Sequence, residues 1–458
     1  AGLPTSTCAM ENVVTQIQAL SGNPGDLAQL HQQLKNQQAV LATQHGSVLH
    51  ALQALDPGQH SLGMLWLLDV LAKSNLNPQG DEGFVDATAA FISSCSALQI
   101  RIAPDIFVRL CRKFKEQVIA LRCPRRGILP LKKAITALAP SPDCLTPMHG
   151  DLFQLCLMAK VYNAATDVLE ADLYDVDPSK TCSTPTDLYL YAYYGGMLCI
   201  GRKSWARALE LLMLALTAPS GAPNAIVLAC YKKYVLASLI HLGSLPPLPK
   251  FTPGKVRSLV EGEGRPYTEL ATAYASHSAQ KLARCVDGHS ATYTQDGNGG
   301  LVKQVVSSLA TRNIQRLTAT YLTLPLADIA AHAGLASAGD AEAHVLRMIG
   351  AGDISAVISE AEGGEGGAGM VRFLEDGETW ASGAVAARIS AAISRCVGLA
   401  ERVQGLHDTV STDKDYLRKV GARERRFDAG VGGGASVDDY GGLAGVGGAQ
   451  MFVPGGMV

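Results

Sequence analysis

Apolar residues recur every three to four positions along most of the chain from about residue 10 to residue 290. This periodicity predicts a series of amphipathic helices, because it lines one face of each helix with side chains that need burial. The run from Leu188 to Leu216 indicates two such helices joined by a short turn. In the second helix one face carries a set at helical spacing: Trp205, Ala208, Leu209, Leu212 and Leu216.

Proline and glycine clusters interrupt this pattern every few tens of residues, which suits helical hairpins that reverse direction within a short turn. The clusters are Asn23-Pro24-Gly25, Asp56-Pro57-Gly58, Asn77-Pro78, Pro140 to Pro142, Pro219 to Pro223 and Pro246 to Pro249. The small Ala208 among bulky neighbours is similar to a tetratricopeptide helix, in which a small residue lets the partner helix approach. Because the strict repeat of about 34 residues is missing, we expect a degenerate, right-handed, tetratricopeptide-like solenoid.

A different order of elements follows residue 300. Leu326–Ala333 predicts a short helix that ends at Gly334, and Asp340 is the predicted N-cap of a second helix. Two alternating runs then predict strands, Ile354–Ser359 and Met370–Leu374. Helix, turn, helix and a two-stranded ribbon is the order of a winged helix.

A last helix is predicted from about Val385 to Val410. Its apolar residues are spaced four, three, three, four, three and four apart, which is a narrow seam at heptad spacing. The seam residues are Ile389, Ile393, Cys396, Leu399, Val403, Leu406 and Val410. Such a stripe is an exposed apolar patch unless partner helices cover it. From about Asp428 the chain is Gly-rich and has few side chains to bury, so we expect a disordered tail.

The composition supports a large helical core. Of the 458 residues, 47% are hydrophobic, 17% are charged and only 6% are aromatic, and Ala and Leu favour helix over sheet. The formal net charge of -2 gives no general attraction to nucleic acid or to anionic membranes. The eleven cysteines form no C-x-x-C pair, and the N-terminus shows no secretory leader. No apolar stretch approaches the roughly 20 residues of a membrane span. We therefore expect a soluble, intracellular protein.

Candidate chemistry is sparse in this sequence. A zinc peptidase needs clustered ligands such as H-x-H or H-E-x-x-H, and neither pattern occurs. His45 and His50 have the wrong spacing for this site. His149 and Cys156 are two helical turns apart, about 10 Å, which is too far for direct proton transfer. We therefore predict no catalytic residue, no metal ligand and no cofactor.

The strongest charge cluster is a basic stretch: Arg109, Arg112, Lys113, Lys115, Arg122, Arg125 and Arg126. It could bind nucleic acid or an acidic partner. Few aromatic residues are interleaved for base stacking, so we favour a solvated helix face that is balanced by acidic residues on adjacent hairpins. The pair Gly195-Gly196 lies in a helical run and fits a close helix crossing better than a phosphate-binding loop.

A helical solenoid followed by a winged helix resembles the PCI-domain proteins, which are shared by the proteasome lid, the signalosome and eukaryotic initiation factor three. Local strings resemble, more narrowly, the subunit-three family of the COP-9 signalosome. In chain order the strings are Gln59 to Gly63, Phe91 to Cys95, Ile100-Arg101, Arg126 to Ile128, Leu155 to Lys160, Tyr193 to Met197, Tyr231 to Tyr234, Asn313 to Thr318 and Tyr321 to Leu324.

The resemblance implies a non-catalytic scaffold in the cytoplasm and nucleus. The signalosome removes the ubiquitin-like modifier Nedd from cullins with a zinc peptidase in another subunit. Its PCI subunits pack winged helices side by side, and their C-terminal helices form one bundle. Partners would be subunits one and eight and, indirectly, cullin-RING ligases, without nucleic acid or membrane. The wing loop, Glu362 to Gly369, and the Gly-rich tail depart from the family pattern.

Two alternatives stay open: a PCI subunit of the proteasome lid or of initiation factor three, and a nucleic-acid-binding winged-helix protein. If the chain is the scaffold described above, it divides into an N-terminal helical-repeat region (1–194), a PCI domain (195–377, with the helical part to about 322 and the winged helix at 323–377), a C-terminal bundle helix (384–411) and a disordered tail (428–458). Besides the seam, the candidate interface residues lie on the wing strands: Ile354, Ala356, Ile358, Val371 and Phe373.

Overall fold

The computed structural model describes residues 6–430 apart from residues 24, 43–44, 74–76, 78–79, 220–221, 223, 360–368 and 375–381. The chain divides into two compact units, Ala1–Leu309 and Ala310–Val458. The predicted fold class is confirmed, since helices make up most of the described chain and a single small sheet lies in the second unit. The predicted wing loop, apart from Gly369, and residues 431–458 of the predicted tail lie outside the described residues.

The first unit is a succession of helices. In chain order they are α1 (Ser6–Leu20), α2 (Leu27–Ala42), α3 (His45–Gln53), α4 (Ser61–Lys73), α5 (Glu82–Ser94), α6 (Ala97–Ile100), α7 (Pro104–Ala120), α8 (Arg125–Leu138), α9 (Pro147–Met158), α10 (Thr166–Glu170), α11 (Pro178–Thr181), α12 (Pro185–Gly201), α13 (Trp205–Thr217), α14 (Ala225–His241), α15 (Gly254–Gly262), α16 (Arg265–Ala275), α17 (Ala279–Gly288), α18 (Ser290–Gln295) and α19 (Gly299–Thr318), which continues into the second unit.

Neighbouring helices pack in pairs, as the hairpin pattern predicts. The two helices predicted between Leu188 and Leu216 are α12 and α13, and α13 packs in turn on α14. Ala208, Leu212 and Leu216 are buried, which confirms the apolar face predicted for α13. Capping side chains fix where helices begin. At the start of α12 the Thr184 hydroxyl accepts a hydrogen bond from the Asp187 N–H, so the helix starts directly after Thr184.

The predicted close crossing at the glycine pair is confirmed. A Cβ added at Gly195 would lie 3.1 Å from Leu211 Cδ1 on α13 and 3.2 Å from a Phe153 ring carbon on α9. A Cβ added at Gly196 would lie 2.8 Å from two carbons of Leu212. The glycines thus let α12 approach both neighbours more closely than any larger residue would allow.

The second unit contains a winged helix with one strand more than the sequence predicts. Its elements are β1 (Thr323–Pro325), α20 (Leu326–Ala333), α21 (Ala338–Ala351), β2 (Ala356–Ser359) and β3 (Met370–Phe373). The sheet order is β1-β3-β2, and both pairings are antiparallel. The predicted two-stranded ribbon therefore lacks strand β1. This strand is hard to recognise in the sequence, because it has only three residues and its last is a proline.

One helix cap differs from the prediction. Ser337, not Asp340, caps α21, since the Ser337 hydroxyl accepts a hydrogen bond of 3.1 Å from the Asp340 N–H. Asp340 occupies the third helical position instead, where its carboxylate accepts from the same hydroxyl at 2.9 Å. The predicted end of α20 is confirmed, because Gly334 is left-handed with a φ of 71°.

Two helices end the described chain. α22 (Gly383–Thr412) covers the predicted last helix, and α23 (Lys414–Gly430) follows after the single residue Asp413. α23 is not predicted from the sequence, and the predicted start of the disordered tail, about Asp428, is wrong because it lies inside this helix. The Asp413 carboxylate accepts hydrogen bonds from the N–H groups of Asp415 at 2.9 Å and Tyr416 at 3.0 Å, so it caps the new helix.

We expect Gly196→Ala to lower the free energy of unfolding by about 1–3 kcal/mol, because the added methyl group forces α12 and α13 apart. The control is Gly300→Ala in the same unit, where nothing lies within 4 Å of the new Cβ. It should be neutral or slightly stabilising. Urea denaturation followed by circular dichroism measures both, and equal stability of the two variants would contradict the crossing.

Candidate assembly surfaces

The predicted seam lies along α22 and faces solvent. α22 has 30 residues and none of them is buried. Ile389, Ile393 and Val403 are 53%, 58% and 64% exposed. Cys396, Leu406 and Val410 are also exposed, and Leu399 is half-buried. Val397 is also exposed and is not among the predicted seam residues, although its position four residues after Ile393 places it beside the seam. The helix therefore presents a long apolar surface that the described residues of its own chain leave uncovered.

α22 is also long and apolar enough, by length and composition, to cross a membrane, with a mean hydropathy of 1.3 over its most apolar window. Runs of consecutive apolar residues do not indicate this property, because polar and charged residues interrupt them and only the average over the helix is high. Arg388, Arg395 and Arg402 recur at seven-residue spacing along one side of this helix. An arginine at the centre of a bilayer costs several kcal/mol. If protein helices cover the seam, these arginines stay in contact with water and this cost does not arise.

The wing-strand candidates occupy a different position from the seam. The side chains of Ile354, Val371 and Phe373 are buried in the core of the winged helix, and those of Ala356 and Ile358 pack against that core. The three buried side chains are therefore closed to a partner, and those of Ala356 and Ile358 are half-buried. The exposed apolar side chains of the sheet are their neighbours along the strands, namely Val357, Met370 and Leu374.

Strand β2 forms an edge of the sheet, and some of its main-chain hydrogen-bonding groups face away from the other described strands. β3 lies between β1 and β2, so Val371 pairs with both Leu324 and Ile358. The Leu374 N–H donates to the Ser355 carbonyl at 2.8 Å. Because alternate residues of an antiparallel strand point the same way, the backbone groups of Ala356 and Ile358 face outward. Among the described strands, none pairs with this edge. Strand addition by a partner would therefore use the main chain of β2, and a proline at Val371 would break the sheet itself.

The second helix of the winged helix carries little free positive charge. On α21, His344 is buried and its Nε2 lies 3.0 Å from the Thr311 hydroxyl. Burial lowers the pKa of His344, and nearby Arg347 lowers it further, so the imidazole is neutral at physiological pH. Arg347 Nη2 lies 3.3 Å from His344 Nδ1. This helix therefore lacks the row of cations that phosphate contacts require.

The basic stretch is balanced by acidic residues, as predicted. Three cations of α7 are each paired with a carboxylate on a different helix: Arg109 with Asp69 on α4 at 2.8 Å, Arg112 with Asp187 on α12 at 2.8 Å, and Lys115 with Asp151 on α9 at 2.6 Å. Arg126 on α8 pairs with Asp86 on α5. The carboxyl groups are largely or fully buried, except that of Asp86. These four pairs therefore link neighbouring helices, while the guanidinium side chains stay partly exposed.

These pairs keep buried charges compensated. Asp69 is fully buried and also accepts from Lys73 at 2.6 Å. The hydrogen bond to Asp69 raises the pKa of the Arg109 guanidinium. Burial raises the pKa of Asp151, and the ammonium of Lys115 partly offsets this shift. Loss of the lysine would leave Asp151 as a buried acid without its closest cation.

The candidate nucleophile pair is structural. His149 stands at the third position of α9, where its Nδ1 accepts the Thr146 N–H at 3.1 Å and so closes a capping box. Burial lowers the pKa of His149 to about 4 and raises the pKa of Cys156 to about 11. A neutral thiol and a capping imidazole are unsuited to nucleophilic attack. In the described parts of the chain, no group of three or more His, Cys, Asp or Glu could hold a metal ion.

A buried polar network was not predicted from the sequence. The Lys233 ammonium donates to the Asn298 side-chain oxygen at 2.8 Å, and burial lowers the pKa of this lysine. The Asn298 amide donates to the Tyr267 hydroxyl at 2.8 Å, which donates to Asp296 at 2.8 Å. Lys232 donates to the same carboxylate at 2.7 Å. The network ties α14 to α16 and to the turn before α19, so the Tyr231 to Tyr234 string is a structural element.

We expect Lys115→Met to destabilise the chain by about 3 kcal/mol, because it leaves Asp151 buried without its cation. Lys113→Met is the matched control on the same helix. It removes a 3.2 Å pair with the exposed Glu116 and should cost less than about 1 kcal/mol. The double variant Lys115→Met with Asp151→Asn should recover most of the loss. Chemical denaturation tests this, and equal costs for the two lysines would contradict it.

We expect stability to fall as the pH drops from about 6.5 towards about 4, through the buried His149. Its folded-state pKa lies below the ordinary value, so the unfolded chain takes up a proton that the folded chain excludes. Relative to His149→Gln, which keeps a capping side chain that does not titrate, the wild type should lose about 2 kcal/mol between pH 7.5 and pH 5. Denaturant midpoints at both pH values measure this difference, and a constant gap would refute the assignment.

Comparisons with known proteins show the family of this chain. Residues 24–256 match the family described as COP9 signalosome complex subunit 3, N-terminal helical repeats, and residues 282–364 match the PCI domain. The chain is 42% identical over 423 residues to COP9 signalosome complex subunit 3 of Arabidopsis thaliana, which covers 92% of this chain and 96% of that protein. It is 32% identical over 406 residues to the protein of that name from Dictyostelium discoideum, which covers 88% of this chain and 94% of the relative. The chain therefore belongs to the COP9 signalosome subunit 3 family.

Proposed function

We propose that this chain is a non-catalytic scaffold subunit of a signalosome, the complex that removes the ubiquitin-like modifier Nedd from cullin-RING ubiquitin ligases. The observation that carries the proposal is α22, a 30-residue helix with no buried residue and a seam at heptad spacing. A helix of this length extends about 45 Å, enough for four heptads of a bundle. Its seam is the surface through which the chain joins other subunits.

The winged helix would add a second contact. The outward main chain of Ala356 and Ile358 on β2 fits a neighbour that extends the sheet by one strand. Exposed Val357 and Met370 lie on the same sheet and would pack beside such a strand. We infer that the neighbouring PCI subunits are subunits one and eight and that the complex works in the cytoplasm and the nucleus, as the family resemblance implies.

A scaffold role also fits the chemistry of the described residues. Cys156 and His149, the candidate nucleophile pair of the sequence, are a protonated thiol and a helix-capping imidazole. In the family that the chain resembles, the zinc peptidase is another subunit. The chain would therefore act on cullin-RING ligases indirectly, by holding the subunits that bind and cleave.

The alternatives are less well supported. A PCI subunit of the proteasome lid or of initiation factor three would share the winged helix, but both relatives described above carry the signalosome name along nearly their whole length. A winged helix that reads nucleic acid would need several free cations on α21, whose His344 is neutral and buried.

We expect Ile393→Glu with Val403→Glu to block entry of the chain into the complex, because it places two charges in the seam. The first unit should stay folded, since it contains neither of the substituted residues. The matched control is Ala391→Glu with Ser394→Glu on the opposite face of α22, which should assemble normally. Co-expression with the other subunits, followed by size-exclusion chromatography and mass spectrometry, measures incorporation.

Two results would count against this proposal. Wild-type incorporation of the seam variant would show that α22 is not the assembly element. Recovery of the wild-type chain in the membrane fraction, with loss of that fraction in the seam variant, would show that α22 meets lipid instead of protein helices.

A further inference from the structure

α23 concentrates positive charge in a chain that is otherwise slightly acidic. The helix holds six of the chain's 39 Lys and Arg residues but only three of its 41 Asp and Glu residues. Its net charge is therefore +3, whereas that of the whole chain is -2. A helix of 17 residues, about 26 Å long, thus carries a local field that the composition of the chain conceals.

The cations of α23 are placed differently from those of α7. On α7 the cations reach buried carboxylates on other helices. On α23 the Arg418 guanidinium pairs at 3.0 Å with Asp415 of the same helix, and both side chains are 75% exposed. Lys414 and Lys419 are exposed as well. A pair within one exposed helix stabilises little, so these charges are available to an outside partner.

The described part of α23 is also amphipathic. Tyr416 and Leu417 are 45% and 53% exposed, and Val420 is half-buried. At 100° per residue these three side chains fall within one arc of the helix. Lys414 and Arg418 follow on one side of that arc, and Lys419 follows on the other side. This arrangement is typical of a helix that lays an apolar face into a groove whose rims carry the opposite charge.

The position of α23 limits which surface it can reach. Asp413 is both the last cap of α22 and the first cap of α23, so a single residue separates the two helices. Any protein that encloses the seam of α22 therefore lies next to α23.

We propose that α23 docks into an apolar groove rimmed by carboxylates on the subunits that enclose α22. This inference rests on the proposed function, because those subunits are the ones the seam binds. Tyr416 and Leu417 are the apolar anchors, Lys414 and Lys419 on the two flanks pair with the rims, and Arg418 adds to the positive field. The contact gives the bundle a salt-dependent lock beside its apolar seam, since exposed charge pairs weaken as ionic strength rises.

Nucleic acid and anionic lipid are poorer fits. A phosphate backbone would leave Tyr416, Leu417 and Val420 uncovered and would repel Asp415. A helix lying on a membrane buries a continuous apolar face along its length, whereas the residues after Val420 in this helix are mostly charged or small.

The test uses the full chain in the assembled complex. The charge-reversal variant is Lys414→Glu with Arg418→Glu and Lys419→Glu. The matched control reverses three exposed cations elsewhere, Lys281, Arg284 and Lys303, to Glu. Release of the tagged chain from immobilised complex is followed at low and at physiological salt. We expect the α23 variant to release about tenfold faster than wild type at low salt, with the difference shrinking at higher salt. The control should match wild type at both.

A second readout identifies the partner chemistry. Carbodiimide joins an ammonium to a carboxylate in direct contact, so Lys414 and Lys419 should cross-link to Asp or Glu of another subunit. Unchanged release of the α23 variant, or cross-links confined to this chain, would overturn the proposal. So would loss of binding to a 20-base-pair DNA duplex or to phosphatidylserine vesicles without any change in release.

The failure of this inference can be separated from that of the proposed function. If the α23 variant behaves as wild type while Ile393→Glu with Val403→Glu stays out of the complex, the scaffold role stands and the docking of α23 does not. If the seam variant assembles normally, the scaffold role itself fails.

Discussion

Pairing between the cations of α7 and buried carboxylates on α4, α9 and α12 is the interaction on which the helical repeats depend. Apolar packing alone tolerates small shifts of one helix along another, but a buried carboxylate does not. If α9 slid by one turn along α7, Asp151 would be buried without Lys115, its closest cation, at a cost of several kcal/mol. The pairs therefore select one arrangement of helices, and the close crossing at Gly196 tightens it.

This internal use of charge explains how the surfaces divide. In the basic stretch, which looks like a binding site in the sequence, four cations form ion pairs with carboxylates on other helices of the repeats. The five predicted wing-strand side chains pack in or against the core of the winged helix. The main chain of β2 lies at the edge of the sheet. The end of the described chain carries two exposed surfaces, namely the seam of α22 and the mixed apolar and basic surface of α23. These helices are the surfaces through which we propose that the subunit binds others.

The sequence predicts the features that depend on local spacing. Periodicity is enough for α12, α13 and α22, and a left-handed glycine is enough to end α20 at Gly334. The three-residue strand β1 has no alternation to read, and α23 follows α22 after one residue in a stretch poor in apolar side chains. Pairings over long distances are also hidden: Arg112 and Asp187 are 75 residues apart. The sequence suggests that acids balance the basic stretch but cannot say which ones, because only the fold brings them together.

Hydrogen exchange of α22 and α23, in the free chain and in the assembled complex, tests the central claim most directly. Their backbone amides lie in exposed helices that the rest of the described chain does not cover, so they should exchange rapidly in the free chain. On assembly we predict strong protection along the whole of α22 and weaker, salt-sensitive protection along α23, while α4 and α7 stay protected in both states. Equal exchange of α22 in the two states would contradict the account, because a seam that partner helices cover cannot stay open to solvent.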